Sequence, residues 1–221
     1  MVTNDKPIRI PSWAARYISH DDLAAVAAAV LNAEIKTSAE IVPMVVRRST
    51  VCGHIPGLLA LIYALIVVAF WSLATSLELS HWLVVPVVVV VGVLFLQLSR
   101  LPAVFRLLTD DADIELQTLQ RAELEFYRAN MKETSGSTGI LLFLSLAEQE
   151  AVVLADQAIS EILPRDTWKR ICETLVAAAK NGTLTRGLTD AVTECGRLCA
   201  PHFPPVDTNP NELKDALIFK E

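Results

Sequence analysis

Two carboxylates stand where a folded chain could bring them together. Glu40 opens the apolar run Glu40–Val46, EIVPMVV, and Asp156 follows the apolar run Ala151–Ala155, AVVLA. If both runs are strands of one sheet, the two acids can share an end of it, with the hydroxyls of Ser38 and Ser145 nearby. Hard cations such as Ca2+ or Mg2+ take several oxygen ligands, carboxylates among them. Glu40, Asp156, Ser38 and Ser145 are therefore candidate metal ligands. A plainer reading stays open: Asp156 caps the helix that follows it, and Glu40 satisfies loop amides. Metal-assisted phosphate-ester hydrolysis needs more, namely a nucleophile or metal-bound water and cations on the phosphoryl oxygens. Arg165, Lys169 and Arg170 are available, but no motif ties them to the acids, so no catalytic residue is assigned.

Other clusters point elsewhere. Cys195, Cys199 and His202 fall at i, i+4 and i+7, one helical face with soft ligands suited to zinc. Pro201 interrupts the set and a fourth ligand is missing, so core packing of the cysteines is the expectation. The loop Gly136–Gly139 precedes a strand, whereas a phosphate cradle follows a strand and opens a helix. Asp110, Asp111 and Asp113 lack the glycine and distal glutamate of a calcium loop and suit the acidic first turn of a helix.

The elements that must position these residues follow from periodicity. Ser19 and Asp22 form a capping box ahead of Leu23, Val26, Val30 and Leu31, predicting a helix over 20–34. Glu40–Val46 reads as a strand apolar on both faces. Pro43 argues for an edge or bulge, because proline cannot donate to a ladder. Residues 110–134 carry a helical stripe of Leu116, Leu119, Ala122, Phe126 and Ala129. Gly139–Leu146 is a buried strand, and Ala151–Ala155 pairs with it antiparallel. Helices follow at about 157–163, 167–180 and 185–201, and the tail from Phe203 is expected to be loosely structured. A strand, a crossover helix and a parallel strand close most naturally as a small α/β sandwich.

Inserted in that sandwich is the apolar run Ile55–Ser99. Pro56–Leu77 and Trp82–Ser99 hold about 22 and 18 residues, each able to cross a hydrocarbon core roughly 30 Å thick. Glu78–His81 is a short turn between them, and Trp82 suits an interfacial position. Arg47 and Arg48 precede the pair, Arg100 and Arg106 follow it, and the turn has no Lys or Arg. The positive-inside bias then puts both termini on the cytoplasmic side of a multi-pass inner-membrane protein. The expected organisation is a discontinuous domain, 1–50 with 103–221, interrupted by a two-helix transmembrane hairpin at 55–99 (about 56–77 and 82–99). The first 13 residues lack the apolar core of a signal peptide, so the first membrane helix is expected to direct insertion. The chain carries 221 residues, 52% of them hydrophobic, at a net charge of −6, with no basic stripe. Nucleic acid is therefore not an expected partner, whereas the membrane and a protein within it are. Four cysteines on a cytoplasmic side imply reduced thiols rather than a disulfide framework.

Several pieces, in this order, resemble the TPM domain, in its bacterial membrane-protein branch. They are Thr37-Ser38-Ala39-Glu40-Ile41, the hairpin, Gly139–Leu146 with Glu148, Leu154-Ala155-Asp156 with Ile159, then Trp168, Gly187-Leu188, and His202-Phe203-Pro204 with Asn211-Glu212-Leu213. The resemblance implies an αβ sandwich, often membrane-tethered, that binds divalent cations. The roles it implies range from weak acid phosphatase activity to assembly or repair of membrane complexes. Pro43 and Gln149-Glu150 depart from the pattern, the latter removing positive charge where an anion would bind. A cation-binding or interaction module at the membrane surface is the expected function, ahead of a metal-assisted phosphatase or a structural scaffold.

Overall fold

The computed structural model describes residues 9–49, 55–77, 81–98, 110–131, 136–205 and 216–221. The chain folds as two compact units: Met1–Ser49 with Glu115–Glu221, and Thr50–Ile114. Cys52, Arg100, Arg106, the turn at 78–80 and Asn211-Glu212-Leu213 lie outside the described residues.

The first unit is built on a four-stranded mixed sheet. Strands β1 (Glu40–Val46), β2 (Gly139–Ser145), β3 (Glu150–Ala155) and β4 (Ile218–Lys220) lie in the order β3-β2-β1-β4. β1 pairs in parallel with β2, Glu40 opposite Gly139 and Val46 opposite Ser145, and in parallel with β4. β2 and β3 are antiparallel. Helix α1 (His20–Glu34) starts at the expected capping box: the Asp22 backbone N–H donates to Ser19 Oγ and the Ser19 backbone N–H to the Asp22 carboxylate. The Ser19 backbone N–H, and after it the Ser19 hydroxyl, hold the Asp22 carboxyl below its usual range. Helices α6 (Lys169–Lys180) and α7 (Leu184–Cys199) join α1 on one face, where Val26, Val30, Leu175, Leu188 and Val192 bury Ile41, Val45, Ile140, Leu142 and Leu144. Helix α4 (Asp111–Arg128) lies on the other, with Ala122 and Phe126 over Val42, Met44, Leu141 and Phe143. A short helix α5 (Gln157–Ile162) and a 3-10 turn (Arg165–Trp168) connect β3 to α6.

Two expectations are corrected. The tail is not wholly irregular, since Ile218–Lys220 forms β4 beside β1. Pro43 lies in an interior strand, yet costs no ladder bond. Glu40 donates toward β2 through Thr138 O, whereas the Ile41 and Arg47 N–H groups point the other way, to Glu34 Oε1 and Lys220 O. Position 43 shares the side of Ile41, where β4 reaches only Met44–Val46, so the missing N–H falls on an open stretch of edge.

Close helix contact explains one glycine. A Cβ on Gly187 of α7 would sit 2.4 Å from the Ala178 Cβ on α6. Gly187→Ala is therefore expected to destabilise the unit by about 1–3 kcal/mol, as overpacking does. A urea midpoint unchanged from the parent would contradict that packing.

The second unit contains α2 (Ile55–Ser76) and α3 (His81–Leu98). The stretch Gly57–Ser76 is long and apolar enough to cross a membrane, with mean hydropathy 2.4 and 11% of it buried. In α3 the apolar stretch Val84–Gln97 is shorter, and Pro86 lies inside the helix. The two helices pack on each other: the Tyr63 hydroxyl donates to the Val88 carbonyl at 2.8 Å, and its ring meets Phe95 with centroids 5.7 Å apart.

Candidate functional site

Glu40 and Asp156 come to the same end of the sheet. Asp156 N–H donates to Gly139 O at 2.8 Å, extending the β2–β3 ladder by one pair, and Glu40 N–H donates to Thr138 O at 3.1 Å. Both acids thus flank Gly139, one on each side, with backbones roughly 10 Å apart at two strand spacings. Alternation along the strands puts Glu40, Gly139 and Asp156 on the α4 side, the side of Val42, Leu141 and Leu154. Gly139, between the acids, is covered by Met131, whose Cε and Cβ would lie 3.3 and 3.4 Å from a Cβ placed there. The main-chain oxygen of Met131 would be nearer still, at 2.7 Å.

Both carboxylates are buried, Glu40 being 3% and Asp156 7% exposed. Asp156 Oδ1 accepts from Gln157 N–H at 2.8 Å, the cap expected of it. Its Oδ2 is buried with no hydrogen-bond partner among the described residues. A buried carboxylate oxygen without a donor is costly unless protonated or bound to a cation. Ser38 lies beside this end: its N–H donates to Phe203 O at 3.0 Å and its carbonyl accepts from Thr138 Oγ1 at 2.8 Å. Ser145 does not, because it closes β2 at the opposite end, roughly 20 Å along the strand.

Ser145 belongs to a second polar cluster, at the carboxyl ends of β1 and β2. Its hydroxyl donates to Glu148 Oε2, the same oxygen that accepts Ser49 N–H at 3.1 Å. Arg48 Nε stands 3.9 Å from Glu148 Oε1, and Ser49 Oγ pairs with Thr118 Oγ1 of α4 at 2.8 Å. Glu148, Ser145, Ser49 and Thr118 are all buried. A fourth buried carboxylate, Glu125, accepts from Arg121 Nε and Arg128 Nη1 at 3.1 Å and lies 3.7 Å from Lys220 Nζ. Sequence reasoning assigned neither acid a role. Arg121 and Arg128, four residues before and three after Glu125, were a legible signal; the backbone N–H that Glu148 holds, 99 residues away in sequence, was not.

The other candidates disperse. Cys195 and Cys199 are core residues, while His202 is exposed. Burial pushes the Cys172 thiol up to about 11, the Cys199 thiol to about 12, and Cys195 well above its ordinary value, so all three stay protonated and inert. Arg170 pairs with Glu194, and Arg165 lies 3.7 Å from Glu123. Asp111 and Asp113 occupy the first turn of α4. Among the described residues no three His, Cys, Asp or Glu side chains are grouped to hold a metal ion.

Fold and site together define a mixed α/β sandwich with helices on both sheet faces and a buried acidic pair at one sheet end; an apolar helix pair separates β1 from α4 in the sequence. Residues 105–198, which contain α4 to most of α7, match the TPM domain family. The fold is similar to the NMR structure of BA42 protein from the psychrophilic bacterium Bizionia argentinensis, with TM-score 0.58 and 16% identity over 92% of this chain and 96% of that one. No curated protein matches the sequence.

Proposed function

We propose that the chain is a membrane-tethered TPM-like domain, held by the α2–α3 hairpin, that binds a divalent cation at Glu40 and Asp156 and acts at the membrane surface. The observation that carries the tether is the exposure of α2: Leu61, Leu65, Val68 and Leu73 are each more than half exposed, which a core helix of a water-soluble fold does not tolerate. Lipid is the solvent that makes such a surface favourable. Arg47 and Arg48 before the hairpin, with Arg100 and Arg106 after it, favour both termini on the cytoplasmic face of an inner membrane.

The cation reading draws on the partnerless Asp156 Oδ2 beside a second buried acid. Oxygen-only ligands favour Ca2+ or Mg2+ over softer ions. Ser38 is retained as a neighbour that could contribute an oxygen; Ser145, at the far sheet end, is withdrawn. The phosphatase alternative is weaker, because Arg165 and Arg170 already face Glu123 and Glu194.

Titration of the full chain in lipid nanodiscs with CaCl2 or MgCl2 tests the reading. A ligand that binds only the folded form stabilises it by about 2.7 kcal/mol at a hundredfold excess over Kd. For a chain of this size that is roughly a 5–10 °C rise in melting temperature. The rise should vanish in Asp156→Asn and Glu40→Gln. An unmoved parent protein would refute the cation site.

A further inference from the structure

We propose that α3 is the return span of the hairpin and crosses the membrane only as the partner of α2, through a socket at Gly92 that admits Tyr63; the proposal rests on the membrane-tethered reading above. The need for a return span follows from the α/β unit. β1 and β2 pair in parallel, and Ser49 Oγ, just before the insertion, lies 2.8 Å from Thr118 Oγ1, just after it. Residues that precede and follow the insertion thus belong to one folded unit, which can occupy only one side of a bilayer. If α2 crosses, the chain must cross back before Thr118. Among the described residues α3 is the apolar helix that stands between them. Alone it is poorly suited to the task. Its apolar stretch Val84–Gln97 rises about 21 Å, against a hydrocarbon core roughly 30 Å thick, and it contains Pro86.

Pairing with α2 supplies what α3 lacks. In α2 the described residues withdrawn from the surface are Leu59, Tyr63, Val67, Phe70 and Ala74. In α3 they are Val84, Val88, Val91, Gly92 and Phe95. Alternating steps of three and four residues put each set on one helix face, the pattern of a coiled-coil seam. Tyr63 is the centre of the contact. Its hydroxyl donates to the Val88 carbonyl at 2.8 Å, and its ring meets Phe95. A Cβ on Gly92 would lie 2.8 Å from that hydroxyl and 3.1 Å from Tyr63 Cζ, so a larger residue there would push the tyrosine off its acceptor. Hydrocarbon offers a hydroxyl no partner, and leaving it unbonded is costly. Each helix therefore answers a need of the other, and the two enter the membrane together.

The test reads the side on which the tail of the full chain emerges in cells, with either of two reporters fused after Glu221. Alkaline phosphatase is active only beyond the inner membrane, and green fluorescent protein fluoresces only in the cytoplasm; both are read per copy of chain in the membrane. The discriminating variant is Gly92→Leu. Leucine favours insertion of a single helix, so an α3 that crosses alone would tolerate it, whereas a socket would be filled. The parent is expected to fluoresce with little reporter phosphatase activity. Gly92→Leu should raise the ratio of phosphatase activity to fluorescence at least tenfold. Tyr63→Phe should raise it about threefold, the worth of one interhelical hydrogen bond in lipid. Val89→Leu, at a position 58% exposed on the outer face of α3, should stay within twofold of the parent. If the parent resists carbonate extraction and fluoresces while Gly92→Leu leaves the ratio unchanged, the socket is not required and the proposal is overturned, with the tether left standing. A Val89→Leu rise equal to that of Gly92→Leu overturns it in the same way. A parent tail that is phosphatase-active and dark removes α3 as the return span and leaves α2 as the anchor. Extraction of the parent into carbonate overturns both.

Discussion

Glu148→Ala is expected to cost the α/β unit about 3–5 kcal/mol. Glu148 Oε2 is the common acceptor for the Ser49 backbone N–H, at the end of the segment that leaves β1, and for the Ser145 hydroxyl at the end of β2. Removing it leaves two buried donors unsatisfied, each worth roughly 1–3 kcal/mol. Arg48 adds little to the loss, because it is 42% exposed and its Nε stands 3.9 Å away, as in a weak surface pair. Glu148→Gln keeps an amide oxygen as acceptor and should lose about half as much. Urea unfolding of the full chain in bicelles, followed by tryptophan fluorescence, reads both variants. A Glu148→Ala loss within 0.5 kcal/mol of the parent would show that the cluster is not what joins the ends of β1 and β2.

Leu65→Arg is the second large effect, and its sign separates two readings of α2. Leu65 lies near the middle of Gly57–Ser76 and is 62% exposed. On a surface facing water, replacing an exposed leucine by arginine stays within about 0.5 kcal/mol. In a membrane helix, arginine at the centre costs about 2.5–3.5 kcal/mol on the insertion scale, and leucine's small favourable contribution is lost as well. The expected result is at least a tenfold fall in the inserted-to-uninserted ratio, measured by protease protection after translation with inverted membrane vesicles. Leu31→Arg on α1, also exposed at 46%, is the control and should leave insertion unchanged. Equal insertion of parent and Leu65→Arg would contradict a lipid-facing α2.

Much of the α/β unit could be read from local pattern because its determinants are local. The Ser19–Asp22 capping box needs four residues, and the both-face apolar runs of β1 and β2 need seven each, matching burial on both sides of a covered sheet. Strand β4 was missed because three residues carry no period; what orders them is nonlocal, through pairing with Met44–Val46 and the Lys220–Glu125 contact. Pro43 misled for a related reason. Whether a proline harms a strand depends on what lies on its N side, and there β4 reaches only Met44–Val46, short of Pro43. Glu40 and Asp156 share a sheet end as expected, because each marks an end of an apolar run. Ser145 was wrongly grouped with them: Gly139–Ser145 spans the sheet, so its two ends cannot serve one ion.

Alkaline carbonate extraction tests the tether. Membranes from cells making the full chain are washed at high pH, which strips peripheral proteins and leaves chains that span the bilayer. The protein is expected to stay in the pellet after the wash and to be released only by detergent. Recovery of the folded chain in the carbonate supernatant would contradict it.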